Sequence, residues 1–150
     1  MKKLYVVGNK ASKSLSPTIF NYWFKKYNIK ASYGYLELTE KNFHNKIKDI
    51  LEKKDTLGLN VTIPFKNKII KHLGKIDAHA KKIGAVNCVT NKKTINGTNT
   101  DWTGYYKTLP NIKQTKNRKV IILGYGGASH AIHYVLKKRG FKDCLLYTSD

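Results

Sequence analysis

The fold is decided by one stretch, Gly58-Leu59-Asn60-Val61-Thr62-Ile63-Pro64-Phe65-Lys66, whose character changes abruptly at Pro64. Three aliphatic residues alternate in it with Asn60 and Thr62, which predicts a strand with polar side chains on its second face. Proline has no N–H to donate, so the ladder ends at Pro64, and a helix can begin there. Lys66 therefore follows the carboxyl end of a strand, where open α/β sheets bind their ligands.

Lys66 has two interpretations at this point. In a chain so rich in lysine, a solvated surface side chain is the common outcome. A catalytic ammonium group instead needs a nearby carboxylate that fixes its position and shares its protons. Asp101, in Asn99-Thr100-Asp101-Trp102-Thr103-Gly104, is the candidate carboxylate.

Four further segments carry short patterns of their own. They are Ser14-Leu15-Ser16-Pro17, Gly84-Ala85-Val86-Asn87, Asn99-Thr100-Asp101 and Gly124-Tyr125-Gly126-Gly127-Ala128-Ser129. Together with the first stretch they resemble the motifs of shikimate dehydrogenases, which include NVTxPxK, GAVN and NTD, in the order of that family. A single glycine-rich turn would mean little, but the whole ordered set from residue 14 to residue 129 is a specific match.

The resemblance implies an α/β fold with an open, mostly parallel sheet in the substrate domain, followed by a truncated Rossmann-type dinucleotide-binding domain. We expect residues 1–101 to form the shikimate-binding catalytic domain, 102–117 a connecting helix and linker, and 118–150 the start of the NADP-binding domain. The chain stops one strand, one helix and one further strand into that domain, so we expect an incomplete chain without appreciable dehydrogenase activity. Its closing run, Cys144 to Asp150, also resembles translated sequencing-adapter sequence.

The activity that the resemblance implies is reversible, NADPH-dependent reduction of 3-dehydroshikimate to shikimate, a step of chorismate and aromatic amino-acid biosynthesis. Lys66, paired with Asp101, would donate a proton to the ketone oxygen. Ser14 and Ser16 would hold the substrate carboxylate, with Thr62 close by. The ring hydroxyls would be bound by Asn60, Asn87 and Asp101.

The cofactor pyrophosphate would lie on the glycine-rich turn, where a following helix amino terminus favours an anion. Tyr125 departs from the small residue usual at its position and would crowd the cofactor or stack on it. The residues expected to bind the cofactor are Gly124, Tyr125, Gly126, Gly127, Ala128 and Ser129.

Three of the expected substrate residues also have purely structural interpretations. Ser16 and Asp101 each precede a predicted helix, and both residue types are common helix N-caps. Asn87 is a residue type found often in turns. Capping and substrate binding are compatible, because a capping carboxylate is held rigidly and stays ionised.

An NAD-using quinate/shikimate dehydrogenase is the alternative enzyme. NADP users of the family place an arginine-containing segment after the second Rossmann strand, where this chain has Thr148-Ser149-Asp150. An aspartate there suits the ribose 2′-hydroxyl of NAD. NADP is the expected cofactor, and NAD stays open. We expect a monomer or a homodimer.

A net charge of +20 raises nucleic acid or an anionic membrane as partners. Arg118 and Arg139 are, however, the only arginines, and base-edge recognition relies mainly on arginine. The lysines are dispersed through the whole chain. We therefore expect no specific nucleic-acid partner and no membrane, and a non-catalytic polyanion-binding module is the last alternative.

The remaining reactive side chains predict no metal site. Cys88 and Cys144 are far apart and lack a CxxC partner, which fits a reduced compartment. The histidines complete no ligand set, and we expect His72 and His79 to be exposed. No run of 18 apolar residues occurs, and the amino terminus is too short in its apolar part for a secretory signal, so we expect a cytoplasmic protein.

Periodicity predicts the remaining elements. A helix after Pro17 should bury one apolar face, made of Ile19, Phe20, Trp23, Phe24 and Tyr27. The other predicted helices cover residues 39–54, 76–83, 102–109 and 128–138, with a short one at 69–73. The other predicted strands cover residues 4–7, 32–38, 86–90 and 120–123. The first of them should be buried on both faces, and the last should also be buried.

Overall fold

The structure, a computed structural model, describes residues 1–110 and 118–147. Two hypotheses fall outside this range. Residues 111–117, which form most of the predicted linker, are not among the described residues. Neither is Thr148-Ser149-Asp150, on which the NAD alternative depends. Within the described residues, no helix is both long and apolar enough to cross a membrane.

The first sheet has six strands in the order β2-β1-β3-β5-β6-β4. β1 is parallel to β2 and β3, β4 is parallel to β6, and β5 is antiparallel to both β3 and β6. The sheet is therefore mixed with a parallel majority, as predicted. The strands are β1 (Lys2–Gly8), β2 (Ala31–Glu37), β3 (Thr56–Val61), β4 (Lys75–Ile76), β5 (Cys88–Asn91) and β6 (Ile95–Thr98).

The main core lies between this sheet and the elements that follow β2 and β3. Helix α2 (Phe43–Leu51) buries Phe43, Ile47 and Leu51, the stripe predicted from its periodicity. Phe43 stacks on Phe65 at 4.2 Å between ring centroids. The helix begins later than predicted because the Asn42 side chain accepts the Thr39 N–H, which holds residues 39–42 in a turn.

Helix α1 (Ser16–Lys26) corrects one prediction, because none of its residues is fully buried. Phe20 and Phe24 pack against the cluster of Val6, Ala11 and Tyr33. The rest of the expected apolar face is exposed, with Trp23 at 46% and Tyr27 at 64%. The reason is geometric: α1 packs mainly on β2, which is the edge strand, so only part of its stripe reaches the sheet.

The end of β3 also differs in detail from the prediction. The strand stops at Val61, and Ile63 is 64% exposed. Pro64 lies in a turn closed by the Phe65 N–H donating to the Thr62 carbonyl, and does not open a helix. The next helical segment is a 3₁₀ turn, Lys68–His72, followed by β4 and by helix α3 (Ala78–Ile83). Lys66 still follows the carboxyl end of a strand.

A second, two-stranded sheet follows helix α4 (Asp101–Thr108). β7 (Lys119–Leu123) pairs in parallel with β8 (Asp143–Tyr147), and α5 (Gly127–Lys138) connects them. Gly140, with φ of 88°, follows the end of α5 in the left-handed region, as its position predicted.

The prediction that β7 is a buried strand is wrong for one of its two faces. Its Ile122 packs with residues of α4 and α5, but Leu123 is 80% exposed. Among the described residues, no element covers the opposite face of the β7–β8 sheet. The side chains exposed on that face are Ile121, Leu123, Leu145 and Tyr147.

Candidate active site

A cavity of about 490 Å³ lies beyond the carboxyl ends of β1 and β3. The loop between β1 and α1 forms one wall, and the turn after β3 forms another. Six of the expected substrate residues line it, namely Ser14, Ser16, Asn60, Thr62, Lys66 and Asn87. Asp101 joins this group through its contacts with Lys66 and Asn87.

Lys66 is held both by its backbone and by the end of its side chain. Its backbone carbonyl accepts the Val86 N–H at 2.7 Å, and its Nζ lies 2.6 Å from Asp101 Oδ2. The Lys66 side chain is only 13% exposed. Lys66 is thus no solvated surface lysine, and the lysine and carboxylate that the sequence proposed as a pair are in direct contact.

Asp101 is the first residue of α4, and the prediction that it caps this helix is wrong. The Asn99 side chain takes that role, because its Oδ1 accepts the N–H groups of Asp101 and Trp102. Asn99 is 3% exposed, and its Nδ2 donates to the Ala85 carbonyl. The Asp101 carboxylate is consequently free to contact Lys66. Asn99 belongs to the Asn99-Thr100-Asp101 motif, but the motif alone does not indicate this capping role.

The Asn87 amide is engaged with the start of α4. Its Oδ1 accepts the Thr100 N–H at 2.8 Å, which fixes the orientation of the amide because an N–H can only donate. Its Nδ2 donates to Asp101 Oδ1 at 2.7 Å. Asn87 therefore orients the Asp101 carboxylate, in addition to lining the cavity.

Ser14 and Ser16 present adjacent hydroxyl groups to the cavity. The Ser14 hydroxyl lies 3.1 Å from that of Ser16 and accepts the Ser16 N–H. Ser16 is the first residue of α1 and provides no N-cap, so that structural interpretation is wrong. Lys10 and Lys13 line the same cavity and add positive charge near the serines. Sequence reasoning missed these lysines because nothing distinguished them from the many others.

Tyr33 is a further residue that the sequence did not single out. It is 3% exposed, stacks on Phe20, and donates its hydroxyl to Asn60 Oδ1 at 2.6 Å. Burial raises the pKa of Tyr33 to about 12, so the hydroxyl is a protonated donor at neutral pH. This hydrogen bond occupies Asn60 Oδ1 and fixes the orientation of the Asn60 amide.

The glycine-rich turn has open space beside two of its glycines, Gly124 and Gly126. Gly124 has φ of 108°, which only glycine adopts readily, and its N–H donates to the Tyr147 carbonyl. Gly126 precedes α5 with no atom near its missing Cβ, and no described side chain caps this helix end. The Ser129 hydroxyl is occupied by the Gly126 carbonyl, so a ligand would meet the Ser129 backbone N–H. Tyr125 is 62% exposed.

The prediction that His72 and His79 are exposed is wrong, because both side chains are half-buried. His72 Nε2 lies 2.8 Å from His44 Nδ1. His79 stacks on Trp102 and contacts the Tyr134 hydroxyl at 2.7 Å. Among the described residues, no three His, Cys, Asp or Glu side chains are grouped to hold a metal ion, and Cys88 and Cys144 are free.

Comparison with known proteins agrees with this geometry. Residues 6–89 match the model of the shikimate dehydrogenase substrate binding domain. The chain is 37% identical to shikimate dehydrogenase of Thermotoga petrophila, over 94% of this chain and 53% of that protein. It is 40% identical to shikimate dehydrogenase (NADP(+)) of Pelagibacter ubique, over 92% of this chain and 53% of that protein.

A solved structure, shikimate dehydrogenase from Thermotoga maritima, superposes with a TM-score of 0.86 at 34% identity. The match covers 99% of this chain and 55% of the solved one. The chain thus spans about half the length of the relatives it matches. Motif order, site geometry and fold lead to one conclusion: the chain belongs to the shikimate dehydrogenase family, and it contains that family's substrate-binding domain.

Proposed function

We propose that this chain provides the substrate-binding and proton-donating part of an NADP-dependent shikimate dehydrogenase. The observation that supports this best is the Lys66–Asp101 pair at 2.6 Å, which adjoins a cavity lined by hydroxyl and amide groups. We assign the shikimate-binding domain to residues 1–101, the connection to 102–117 and the start of the cofactor domain to 118–150. The free cysteines fit a reducing, cytoplasmic location.

The cavity suits a small hydroxylated carboxylic acid. Its carboxylate would accept hydrogen bonds from Ser14 and Ser16, near the positive charges of Lys10 and Lys13. The ring hydroxyls would reach the amides of Asn60 and Asn87 and the Asp101 carboxylate, with Thr62 beside them. A structure described as shikimate 5-dehydrogenase from Thermus thermophilus in complex with shikimate, 25% identical to this chain, supports the substrate class.

Lys66 would act as the general acid in the reduction of the ketone. Its Nζ would donate a proton to the carbonyl oxygen, and Asp101 would hold the ammonium group in place before the transfer. Low exposure of Lys66 limits competing proton exchange with water. The nicotinamide, when bound, supplies the hydride.

The glycine-rich turn would hold the cofactor pyrophosphate against the backbone N–H groups at the start of α5. Gly124, Gly126, Gly127, Ala128 and Ser129 would form this cradle, with Tyr125 beside it. Several relatives are named for NADP(+), and a shikimate dehydrogenase 30% identical to this chain is described in complex with NADP+. NADP is accordingly the proposed cofactor.

Replacing both serines tests the proposed substrate site. In Ser14→Ala/Ser16→Ala, shikimate binding measured by calorimetry should weaken about tenfold or more, because hydrogen bonds to a charged group are lost. In a chain completed with the carboxy-terminal half of a relative, KM should rise more than kcat falls, since the carboxylate is bound in ground and transition states alike.

Ser12→Ala is the matched control for this test. Ser12 belongs to the same loop, but its hydroxyl donates to Glu37 and does not line the cavity. Its replacement should leave shikimate affinity unchanged. Equal affinity of the double variant and the original chain would contradict the carboxylate assignment.

The net charge of +20 supports a second candidate, a polyanion-binding module. The two functions differ in a simple measurement. Binding of random DNA should weaken steeply as salt is added, whereas shikimate should raise the melting temperature of a true substrate domain. Salt-sensitive DNA binding without any shikimate-induced shift would favour the second candidate.

A further inference from the structure

The stem of Lys66 is in close contact with the amino-terminal turn of α5. A Cβ atom on Gly127 would lie 2.9 Å from Lys66 Cβ, 3.1 Å from Lys66 Cδ and 3.3 Å from Ala85 Cβ. Real Cβ atoms essentially never approach other heavy atoms as closely as the first of these distances. The bare Cα of Gly127 is therefore what allows α5 to lie against the lysine.

Other residues of helix α5 pack against neighbouring helices, so the helix cannot easily move away from Lys66. Ala131, one turn further along, packs with Ile83 and Ala85. The Tyr134 hydroxyl lies 2.7 Å from His79 Nδ1, and His79 stacks on Trp102 of α4. These contacts join α5 to α3 and α4. Helix α3 is followed by the segment that carries Asn87, and helix α4 begins at Asp101.

We propose that Gly127 is a positioning residue for Lys66. It lets the first turn of α5 close over the aliphatic stem, which restricts the rotamers of a long, flexible side chain and holds Nζ against Asp101. This role is separate from the contact with a cofactor pyrophosphate expected of the same glycine. That the held lysine donates a proton rests on the proposed function, whereas the positioning contact does not.

The test is Gly127→Ala in the 150-residue chain, with the reactivity of individual lysines measured by trace acetylation and mass spectrometry. The added methyl group must displace the Lys66 stem or α5, so Nζ should leave Asp101 more often. We expect the acetylation rate of Lys66 to rise by roughly tenfold relative to Lys68, the scale of one coupled interaction. An unchanged ratio would overturn the proposal.

Gly104→Ala is the matched control. Gly104 also lies near the start of a helix, and no atom lies within 4 Å of the position its Cβ would take. Its acetylation pattern should equal that of the original chain. Shikimate affinity is measured in parallel, so that a failure of the proposed function shows as no binding by the original chain, whatever the acetylation result.

A double variant covers the case in which Gly127→Ala does not fold. Lys66→Gly removes the Cβ and Cδ atoms that the new methyl group would meet. Gly127→Ala should therefore fold in the Lys66→Gly background even if it does not fold alone. Where it folds in both backgrounds, the loss of melting temperature should be clearly smaller in Lys66→Gly. Equal losses in the two backgrounds, or a double variant that also fails to fold, would overturn the proposal.

Discussion

Lys66 and Asp101 are 35 positions apart in sequence, and neighbours on every side bring them together. Asn87 and Asn99 determine where the carboxylate lies, and the Val86 N–H holds the lysine backbone. A pair held this firmly loses little entropy on meeting a substrate.

Lys66→Met tests the proposed proton donor in a chain completed with a relative's carboxy-terminal half. The substitution keeps the approximate volume of the stem and removes the ammonium group. General acid catalysis contributes about 10² to 10⁴ in rate, so kcat should fall by about that factor while shikimate Kd changes much less. Combining it with Asp101→Asn should cost less than the sum of the single effects, because the two groups act as a unit.

Lys68→Met is the control for that measurement. Lys68 also forms an ion pair at 2.6 Å, with Glu40, but it does not line the cavity. Its replacement should leave kcat near normal. A Lys66→Met enzyme with near-normal kcat would return Lys66 to a structural role.

Tyr33→Phe tests whether a buried hydroxyl sets the orientation of the Asn60 amide. The change keeps the ring on Phe20 and removes the donor to Asn60 Oδ1. A hydrogen bond of this kind is worth about 0.5–1.5 kcal/mol, so shikimate Kd should rise roughly three- to tenfold. Tyr35→Phe, on the same strand but exposed, should change nothing. Equal affinities for the two variants would contradict this positioning role.

The sequence indicated the Lys66–Asp101 pair and the residues that line the cavity, because each of these side chains belongs to a short motif. It did not indicate Tyr33, which looks like any other aromatic residue of an alternating strand and contacts Asn60 only through the fold. The N-cap predictions for Ser16 and Asp101 failed for a related reason. Each lies one position inside its helix, and such a shift depends on side-chain contacts that propensity does not contain.

Contacts between elements determine the environment of the histidines. His44 of α2 and His72 of the 3₁₀ turn face one another beside Phe43. Burial, followed by the charge of His44, lowers the pKa of His72 from its ordinary value of 6.5. The unfolded chain therefore binds this proton more readily than the folded chain does.

The stability of the chain should consequently depend on pH through His72. Because the unfolded state binds the extra proton, the free energy of unfolding should decrease as pH falls below 6.5 and level off below the lowered pKa. In His72→Gln, the loss of melting temperature between about pH 7.5 and about pH 5 should be smaller than in the original chain. Identical pH dependence in both chains would show that this histidine pair does not contribute.

The sequence predicted whether a segment is a helix or a strand better than it predicted how deeply that segment is buried. The stripe of α2 and the end of α5 at Gly140 matched their local signals, since each depends on residues close in sequence. The burial of α1 and β7 did not, because the exposure of a helix or strand depends on which other element covers it. β4 has only two residues and carries no periodic signal at all.

Within residues 1–110 and 118–147, a well-packed first sheet is followed by a second sheet that these residues cover on one face only. The first sheet has its core around α2, β1 and β3, where motif and periodicity agreed. Strand order was not predictable, because the pairing of β3 with β5 depends on contacts across the chain. The family resemblance predicted the mostly parallel sheet, and it also predicted the order of strand, helix and strand that β7, α5 and β8 show.

The uncovered face of the β7–β8 sheet has a consequence for how these molecules behave toward one another in solution. Its exposed apolar side chains Leu123 and Tyr147 favour association between molecules, whereas electrostatic repulsion from a net charge of +20 opposes it. Salt screens this repulsion, because the Debye length falls from about 10 Å at 0.1 M salt to about 3 Å at 1 M. Light scattering should therefore show self-association that grows with sodium chloride, and Leu123→Lys/Tyr147→Lys should suppress it. Association that weakens with salt would instead indicate contacts between charged groups.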